Sequence, residues 1–157
     1  MILLGPDELR VVDAVRLELL VASREAVIGV GEGEVRGEAA AALLFSDYAM
    51  LRPGATLTVD RDSWAGAVWR IGSDARAILL SGSRTFDAGE ALALGLCDEI
   101  GSFELGGRSA MALDAAVMLT SRRGGDALER AEFARLFAAG EPQKGLRAFL
   151  EKGTPRF

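Results

Sequence analysis

Few side chains in this sequence are able to transfer protons. The 157-residue chain contains no histidine and a single cysteine, Cys97. Catalysis by Ser-His-Asp or Cys-His pairs and zinc binding by an HExxH motif are excluded, because each of them needs histidine. Acid–base chemistry must come from carboxylates, Tyr48, Cys97, the lysines Lys144 and Lys152, or water held by backbone groups. The composition predicts no metal site.

A glycine-rich segment at 31–37, with the sequence GEGEVRG, joins a predicted strand to a predicted helix. One interpretation is a dinucleotide-binding loop, whose backbone N–H groups hold a pyrophosphate. Three acids, Glu32, Glu34 and Glu38, surround the place of the phosphates, and no acidic residue ends a second strand about 20 residues later. The alternative is a tight strand-to-helix connection in which Glu38 stabilises the helix dipole. A more specific hypothesis than helix stabilisation is that the side chain of Glu38 takes part in catalysis.

The elements that position these residues follow from hydrophobic periodicity and turn signals. Strand and helix patterns alternate up to residue 100, and only helices follow. The predicted helices cover 7–24, 38–45, 63–70, 73–80, 87–95, 109–121, 126–139 and 142–152, and the predicted strands cover 26–30, 48–51, 55–59 and 97–100. Capping boxes are expected at Asp87–Glu90 and Asp126–Glu129. Flexible joints are expected at 122–125 and 140–142.

The net charge and the hydropathy of the chain restrict the classes of partner that it is expected to bind. The chain carries 23 acidic and 18 basic residues, a net charge of −5, which argues against nucleic acid. Its apolar runs are far shorter than the roughly 20 residues that cross a bilayer, and no secretory leader is visible, so no membrane contact is expected. A single cysteine suits a reducing compartment, and we expect a cytoplasmic protein.

Three segments resemble the enoyl-CoA hydratase/isomerase (crotonase) superfamily. Residues 71–100, IGSDARAILLSGSRTFDAGEALALGLCDEI, are similar to the family pattern in the order and spacing of their glycines, alanines and Gly-Leu pair. Residues 145–157, GLRAFLEKGTPRF, are similar to the family's ending. Residues 33–39, GEVRGEA, followed by Asp47, are similar to its triple-glycine turn and to a structural aspartate after it. The resemblance covers about residues 22–157.

The resemblance implies an α/β fold, the crotonase-like spiral of ββα units, truncated at its N-terminus and ending in C-terminal oligomerisation helices. Residues 1–103 would form the α/β core and residues 104–157 a helical trimerisation region. The assembly would be a homotrimer or a hexamer. The substrate would be an acyl-CoA or acyl-carrier thioester, with no further cofactor.

The same resemblance implies a set of site residues. After Gly37, the N–H of Glu38 would bind the thioester oxygen as negative charge develops there. Asp60 and Asp62 would carry protons, and Arg61 would contact the substrate. A solvated turn with a helix cap is the alternative interpretation of residues 60–62. Phe149 and Lys152 match positions that lie near the CoA adenine on a neighbouring subunit.

The catalytic residues depart from the family pattern. The opening strands and the loop with the first oxyanion donor have no counterpart, and the two glutamates that hold the attacking water align with Ala41 and Arg61. Two interpretations remain open. One is an enzyme that stabilises a thioester enolate at the N–H of Glu38; the other is a catalytically inactive structural or regulatory subunit, paired with a longer homologue. Nucleotide binding at the glycine loop is a third.

Overall fold

The computed structural model describes residues 1–22, 25–104, 108–121, 126–153 and 156. The chain divides into two compact units, one of residues 2–23 and 27–103 and the other of Met1, 24–26 and 104–157. The expected joint at 122–125 and the end of the family-like tail, residues 154–155 and 157, lie outside the described residues. So does the expected capping box at 126–129, in which the side chain of residue 126 is not described.

A parallel sheet forms the centre of the first unit. The strands of this unit are β1 (Ile2–Leu4), β2 (Val27–Gly31), β3 (Glu34–Val35), β4 (Tyr48–Leu51), β5 (Thr56–Val59), β6 (Arg84–Asp87) and β7 (Glu99–Ile100). The central sheet has the order β1-β2-β4-β7, and all of its pairs are parallel. Every residue of β2 is buried, as expected of a strand covered on both faces.

Two glycines let other groups approach β2 closely. A Cβ at Gly29 would lie 2.6 Å from the hydroxyl oxygen of Ser46, and a Cβ at Gly31 would lie 2.8 Å from a methyl carbon of Val35. Both separations are shorter than van der Waals contact. The glycines in this apolar run are therefore needed for packing, because no side chain fits there.

A second sheet, in the order β3-β5-β6, lies in the same unit. β3 runs parallel to β5, and β6 pairs with β5 in the antiparallel direction. The predicted strands at 48–51 and 55–59 are both confirmed, yet they belong to different sheets. The turn after β4, closed by the N–H of Ala55 donating to the carbonyl of Arg52, carries the chain from one sheet to the other.

Helices pack on these sheets. Those of the first unit are α1 (Pro6–Arg10), α2 (Ala14–Val21), α3 (Gly37–Phe45), α4 (Trp64–Ile71), α5 (Arg76–Ser81) and α6 (Ala88–Ala93), with a 3₁₀ turn at Gly72–Ala75. The capping box predicted at the start of α6 is confirmed. The carboxylate of Asp87 accepts from the N–H of Glu90 at 2.8 Å, and the carboxylate of Glu90 accepts from the N–H of Asp87 at 3.1 Å.

The prediction of one helix over 7–24 is wrong. The structure has β1, α1 and α2 there. Asp13 is the N-cap of α2, and its carboxylate accepts a hydrogen bond from the N–H of Arg16 at 2.8 Å. Because an N-cap residue has non-helical backbone angles, the helical conformation is interrupted at Asp13. Within this region Val12 is buried, whereas Val11 and Val15 are exposed.

α3 and α4 are in close contact. A Cβ at Gly66 of α4 would lie 2.6 Å from the Cβ of Leu44, so only glycine permits this approach. Arg70 closes the carboxyl end of α3. Its guanidinium donates to the carbonyls of Leu44 and Ser46 at 3.0 and 2.8 Å, and to the carboxylate of Asp98 at 2.9 Å. A buried cation at this position also complements the helix dipole.

The second unit is helical, with α7 (Ala110–Ser121), α8 (Asp126–Ala138) and α9 (Glu141–Leu150). The hydroxyl of Ser109 donates to the buried carboxylate of Glu141, which also accepts from the Lys144 ammonium at 2.9 Å. The carboxylate of Asp114, in α7, accepts a hydrogen bond from the N–H of Ala26 at 2.9 Å. The bonds from Ser109 to Glu141 and from Ala26 to Asp114 connect segments that are far apart in sequence.

Candidate functional site

The turn between β3 and α3 forms the candidate oxyanion site. β3 ends at Val35, Arg36 is extended, and α3 begins at Gly37. Gly37 has φ of +57°, in the left-handed region that residues with a Cβ enter only at a cost. The chain reverses sharply at this glycine, and the next residues start the helix.

The N–H of Glu38 has no acceptor among the described residues. The nearest backbone bond in the turn is that of Ala40, whose N–H donates to the carbonyl of Arg36 at 3.3 Å. No side chain caps the helix either. Free N–H groups in a first helical turn carry partial positive charge and bind anionic oxygens. The backbone here offers a donor to a ligand.

The side chains around this turn are charged and exposed. Glu38 is exposed in the first turn of α3, where the macrodipole favours a carboxylate. Arg36 pairs with Glu34 at 3.7 Å, and Arg52 pairs with Glu32 at 3.0 Å. Arg36 and Arg52 are thus each paired with an acid.

Asp60 belongs to the turn that precedes α4. Its carboxylate accepts from the N–H of Asp62 at 3.1 Å and from the hydroxyl of Ser63 at 3.2 Å, and its own N–H donates to that hydroxyl at 3.0 Å. Ser63 occupies the N-cap position of α4, but its side chain makes no cap bond, because its buried hydroxyl is used in this turn. Arg61 and Asp62 are exposed, and in the described part of the chain neither side chain has a partner.

Sheet register brings residues 37–38 and 60–62 to the same edge. β3 and β5 are parallel, with Val35 opposite Leu57, so the segments that follow them leave the sheet on the same side. The start of α3 and the turn that holds Asp60 therefore follow strands at the same end of this sheet. Phe149 and Lys152 belong to the second unit, where both are exposed.

The position expected for a catalytic glutamate is filled by core packing. Ala41 is fully buried in α3, and its carbonyl oxygen would lie 3.4 Å from a Cβ at Gly66. A carboxylate in place of Ala41 would be buried where α4 contacts α3. Arg61 is exposed at the second position expected for a glutamate.

Other candidate groups have structural surroundings. Cys97 is buried, and burial raises the pKa of its thiol to about 11, so the thiol stays protonated near neutral pH. Asp47 accepts from the N–H of Val27 at 2.8 Å, which confirms its predicted structural role. Tyr48 donates its hydroxyl to Glu99 at 2.7 Å. None of these three groups is a candidate nucleophile.

Sequence reasoning missed a second turn at the carboxyl ends of the central strands. β1 is parallel to β2, so the segment Gly5–Glu8 leaves the sheet at the same edge as the end of β2. α1, which starts in this segment, contacts α3. The apolar triplet Ile2–Leu4 before Gly5-Pro6 was the available signal, but three residues are too few to show a period.

The described residues contain no group of three or more histidine, cysteine, aspartate or glutamate side chains placed to hold a metal ion. Across the same residues, no helix has the length and apolar character that a bilayer crossing requires.

A scan against protein-family models and a search of curated proteins found no match to the chain. Solved structures do match. An enoyl-CoA hydratase/isomerase family protein from Hyphomonas neptunium is 22% identical over 92% of this chain and 65% of its own, with a TM-score of 0.65. An enoyl-CoA hydratase from Bacillus anthracis is 18% identical over 96% of this chain and 67% of its own, with a TM-score of 0.68.

A third match, an enoyl-CoA hydratase/isomerase from Cupriavidus metallidurans, is 21% identical over 90% of this chain and 63% of its own, with a TM-score of 0.65. The chain therefore has the α/β crotonase-like fold that its sequence predicted, in a form shorter than these structures. It spans about 65% of the length of the Hyphomonas protein.

Proposed function

We propose that this protein binds an acyl thioester of coenzyme A or of an acyl carrier and stabilises negative charge on the thioester oxygen through the N–H of Glu38. One observation carries the proposal: this N–H lies in the first turn of α3, after Gly37, and has no acceptor among the described residues. The crotonase-like fold supports the choice of ligand.

The chemistry suited to such a donor is enolate stabilisation. When a proton leaves the carbon next to the thioester carbonyl, its electron pair moves onto the carbonyl oxygen, which becomes negative. A fixed donor at that oxygen contributes about 3–4 kcal/mol to the transition state. Asp62 is our candidate to take the proton and return it to the acyl chain, because Asp60 is occupied in its turn.

We further propose that copies of this chain assemble through α9. Three of its exposed residues, Leu146, Phe149 and Leu150, are apolar and lie at helical spacing on one face. A trimer would cover this face and bring Phe149 and Lys152 to a neighbour's thioester, where an aromatic ring suits the adenine and an ammonium suits a phosphate.

A second candidate function is thioester binding without turnover, in a subunit paired with a longer homologue. The specific observation in its favour is Ala41, which is fully buried where a catalytic glutamate would be needed. Such a protein would keep the donor at Glu38 and lack the acid–base pair.

The test separates the backbone N–H of Glu38 from its side chain. Glu38→Pro removes the N–H of the second helical residue, which has no intrahelical partner, whereas Glu38→Gln keeps the N–H and removes the charge. We expect wild type and Glu38→Gln to be stabilised against heat by crotonyl-CoA, and Glu38→Pro to lose that stabilisation. Where turnover is measurable, Glu38→Pro should lower it by roughly 100- to 1,000-fold.

Circular dichroism checks that each variant is folded. Undiminished thioester binding by folded Glu38→Pro contradicts the proposed donor. Binding without loss of enoyl absorbance by the wild type favours the second candidate. Failure of the wild type to bind any acyl-CoA in a panel of chain lengths removes both functions.

A further inference from the structure

The contacts between α3 and α4 show that the two helices begin at the same end. A Cβ at Gly66 of α4 would lie 3.4 Å from the carbonyl oxygen of Ala41 and 2.6 Å from the Cβ of Leu44. Further along α4, Arg70 donates to the carbonyls of Leu44 and Ser46, at the carboxyl end of α3. Residue numbers therefore rise together along both helices, and their first turns share one end of the contact.

The strands that precede these helices lead to the same conclusion. β3 and β5 are parallel neighbours with Val35 opposite Leu57, and adjacent strands lie about 5 Å apart. Gly37 comes two residues after β3, and residues 60–62 come directly after β5. Helix contact and strand register thus agree that the turn with the N–H of Glu38 and the turn at 60–62 leave the fold at one end.

Arg61 is the arginine of these two turns that has no acid partner in the described residues. Arg36, in the other turn, pairs with Glu34 at 3.7 Å. Arg61 is exposed, and the carboxylate before it, that of Asp60, already accepts two hydrogen bonds within its own turn. The Arg61 guanidinium therefore has its N–H groups available to a ligand. A carboxylate matches them best, because it accepts two parallel hydrogen bonds from a guanidinium.

We propose that Arg61 selects acyl thioesters whose acyl chain ends in a carboxylate. This inference rests on the proposed function and adds the class of substrate. The N–H of Glu38 holds the thioester oxygen, and Arg61 holds the carboxylate at the far end of the chain, so that the carbon between them is presented to Asp62. The acidic side chains of Glu38 and Asp62 oppose an anionic ligand, so the selection depends on Arg61 and reverses with its charge.

Pairs of ligands with equal numbers of acyl carbons test the selection. Succinyl-CoA is compared with butyryl-CoA, and glutaryl-CoA with pentanoyl-CoA, so that the members of each pair differ in the distal carboxylate. We expect wild type to bind the dicarboxylic member about tenfold more tightly in isothermal titration calorimetry, as one charge-assisted pair allows. Arg61→Ala should bind both members alike. Arg76→Ala, which removes an exposed arginine of α5, is the matched control and should keep the preference.

Reversing the charge makes the test sharper. Arg61→Glu should prefer 4-aminobutyryl-CoA, which carries an ammonium group at the end of its acyl chain, over succinyl-CoA. Arg61→Lys should keep part of the preference for succinyl-CoA, because an ammonium is a cation without the two-pronged geometry of a guanidinium. Circular dichroism checks that each variant is folded.

Two results would overturn the inference. One is equal affinity of the wild type for both members of each pair, and the other is a preference for the dicarboxylic member that persists in folded Arg61→Ala. In either case, thioester binding that is lost in Glu38→Pro would leave the proposed function standing. A wild type that binds no acyl thioester would remove the proposed function and this inference with it.

Discussion

Two strand-to-helix turns in the first unit differ in how their helices are capped. At α6, Asp87 and Glu90 exchange side-chain and backbone hydrogen bonds, and the start of the helix is closed. At α3, Arg36 occupies the N-cap position without capping, and the N–H of Glu38 has no acceptor in the described residues. Any helix start leaves unpaired N–H groups. The cap of α6 pairs the N–H of Glu90, whereas no side chain caps the first N–H groups of α3.

The largest effect is expected from a substitution that distorts the turn before α3. Gly37→Ala puts a Cβ on a residue with φ of +57°, although nothing lies within 4 Å of that Cβ. We expect a loss of about 1–2 kcal/mol in the free energy of unfolding, measured by urea denaturation, together with weaker thioester binding. Gly37→Asn is the control, because asparagine tolerates the left-handed region and should retain more of both.

Removing the closed start of α6 should cost stability without affecting binding. Asp87→Ala deletes the cap of α6, and we expect the free energy of unfolding to fall by about 1 kcal/mol. Thioester binding should be unchanged, since the amide at Glu38 is untouched. Asp87→Asn keeps a capping oxygen and should lose less. Equal losses in binding for Asp87→Ala and Gly37→Ala would show that the two turns are not functionally distinct.

A capping carboxylate at the start of α3, like the one at the start of α6, should raise the stability of the fold and lower the affinity for the thioester. Arg36→Asp places a capping carboxylate at the start of α3, which we expect to stabilise the fold by about 0.5–1 kcal/mol. The same carboxylate competes with an anionic oxygen for the helix N–H groups, so thioester affinity should fall. Arg36→Ala, which removes the charge without adding a cap, separates the two effects. A more stable protein with undiminished affinity would contradict the competition.

The smallest expected effect concerns the start of a third helix, α9, and is a change in stability that is seen only at acidic pH. At α9, the hydrogen bond from Ser109, with a second from Lys144, holds the pKa of Glu141 below its ordinary value. The ionised carboxylate is therefore favoured in the folded state, and its contribution is present above the ordinary pKa of glutamate. That contribution is lost as the pH falls through the lower folded-state pKa.

Glu141→Gln should accordingly flatten the decline in melting temperature below about pH 4.5, the range in which unfolded glutamate begins to bind protons. Glu129→Gln, at an exposed position of α8, is the control and should leave the acid-range slope as it is in the wild type. A Glu141→Gln protein with the wild-type slope would contradict the role of this carboxylate.

Local patterns in the sequence were enough for much of the fold. The apolar run of β2, the alanine-rich α3 and the capping box at Asp87 are each specified by neighbouring residues, and all three were predicted. The N-terminal region was not, because β1 is three residues long and exists by pairing with β2. Val11 and Val15 have helical spacing, yet the cap at Asp13 places them in an exposed segment.

Some features of the candidate site were likewise predictable from the sequence, and others were not. Resemblance identified Gly37 and Glu38, and Gly37 has the positive φ that the turn needs. Sequence left two roles open for Asp60, and its hydrogen bonds to Asp62 and Ser63 show the turn-forming one. Whether an amide is free depends on every acceptor that folding brings near it, and no local pattern contains that information.

The order of residues alone determined which chemistry is available: no imidazole, one thiol, and a glycine where the chain must reverse before a helix. These are properties of residue types and of short-range backbone preference. Tertiary structure decided what those groups do. It separated β4 and β5 into different sheets, buried Cys97 and Ala41, and, in the part of the chain that the structure describes, left the N–H of Glu38 without an acceptor. Each of these outcomes depends on contacts between segments distant in sequence, because burial and hydrogen-bond partners are set only when the chain packs.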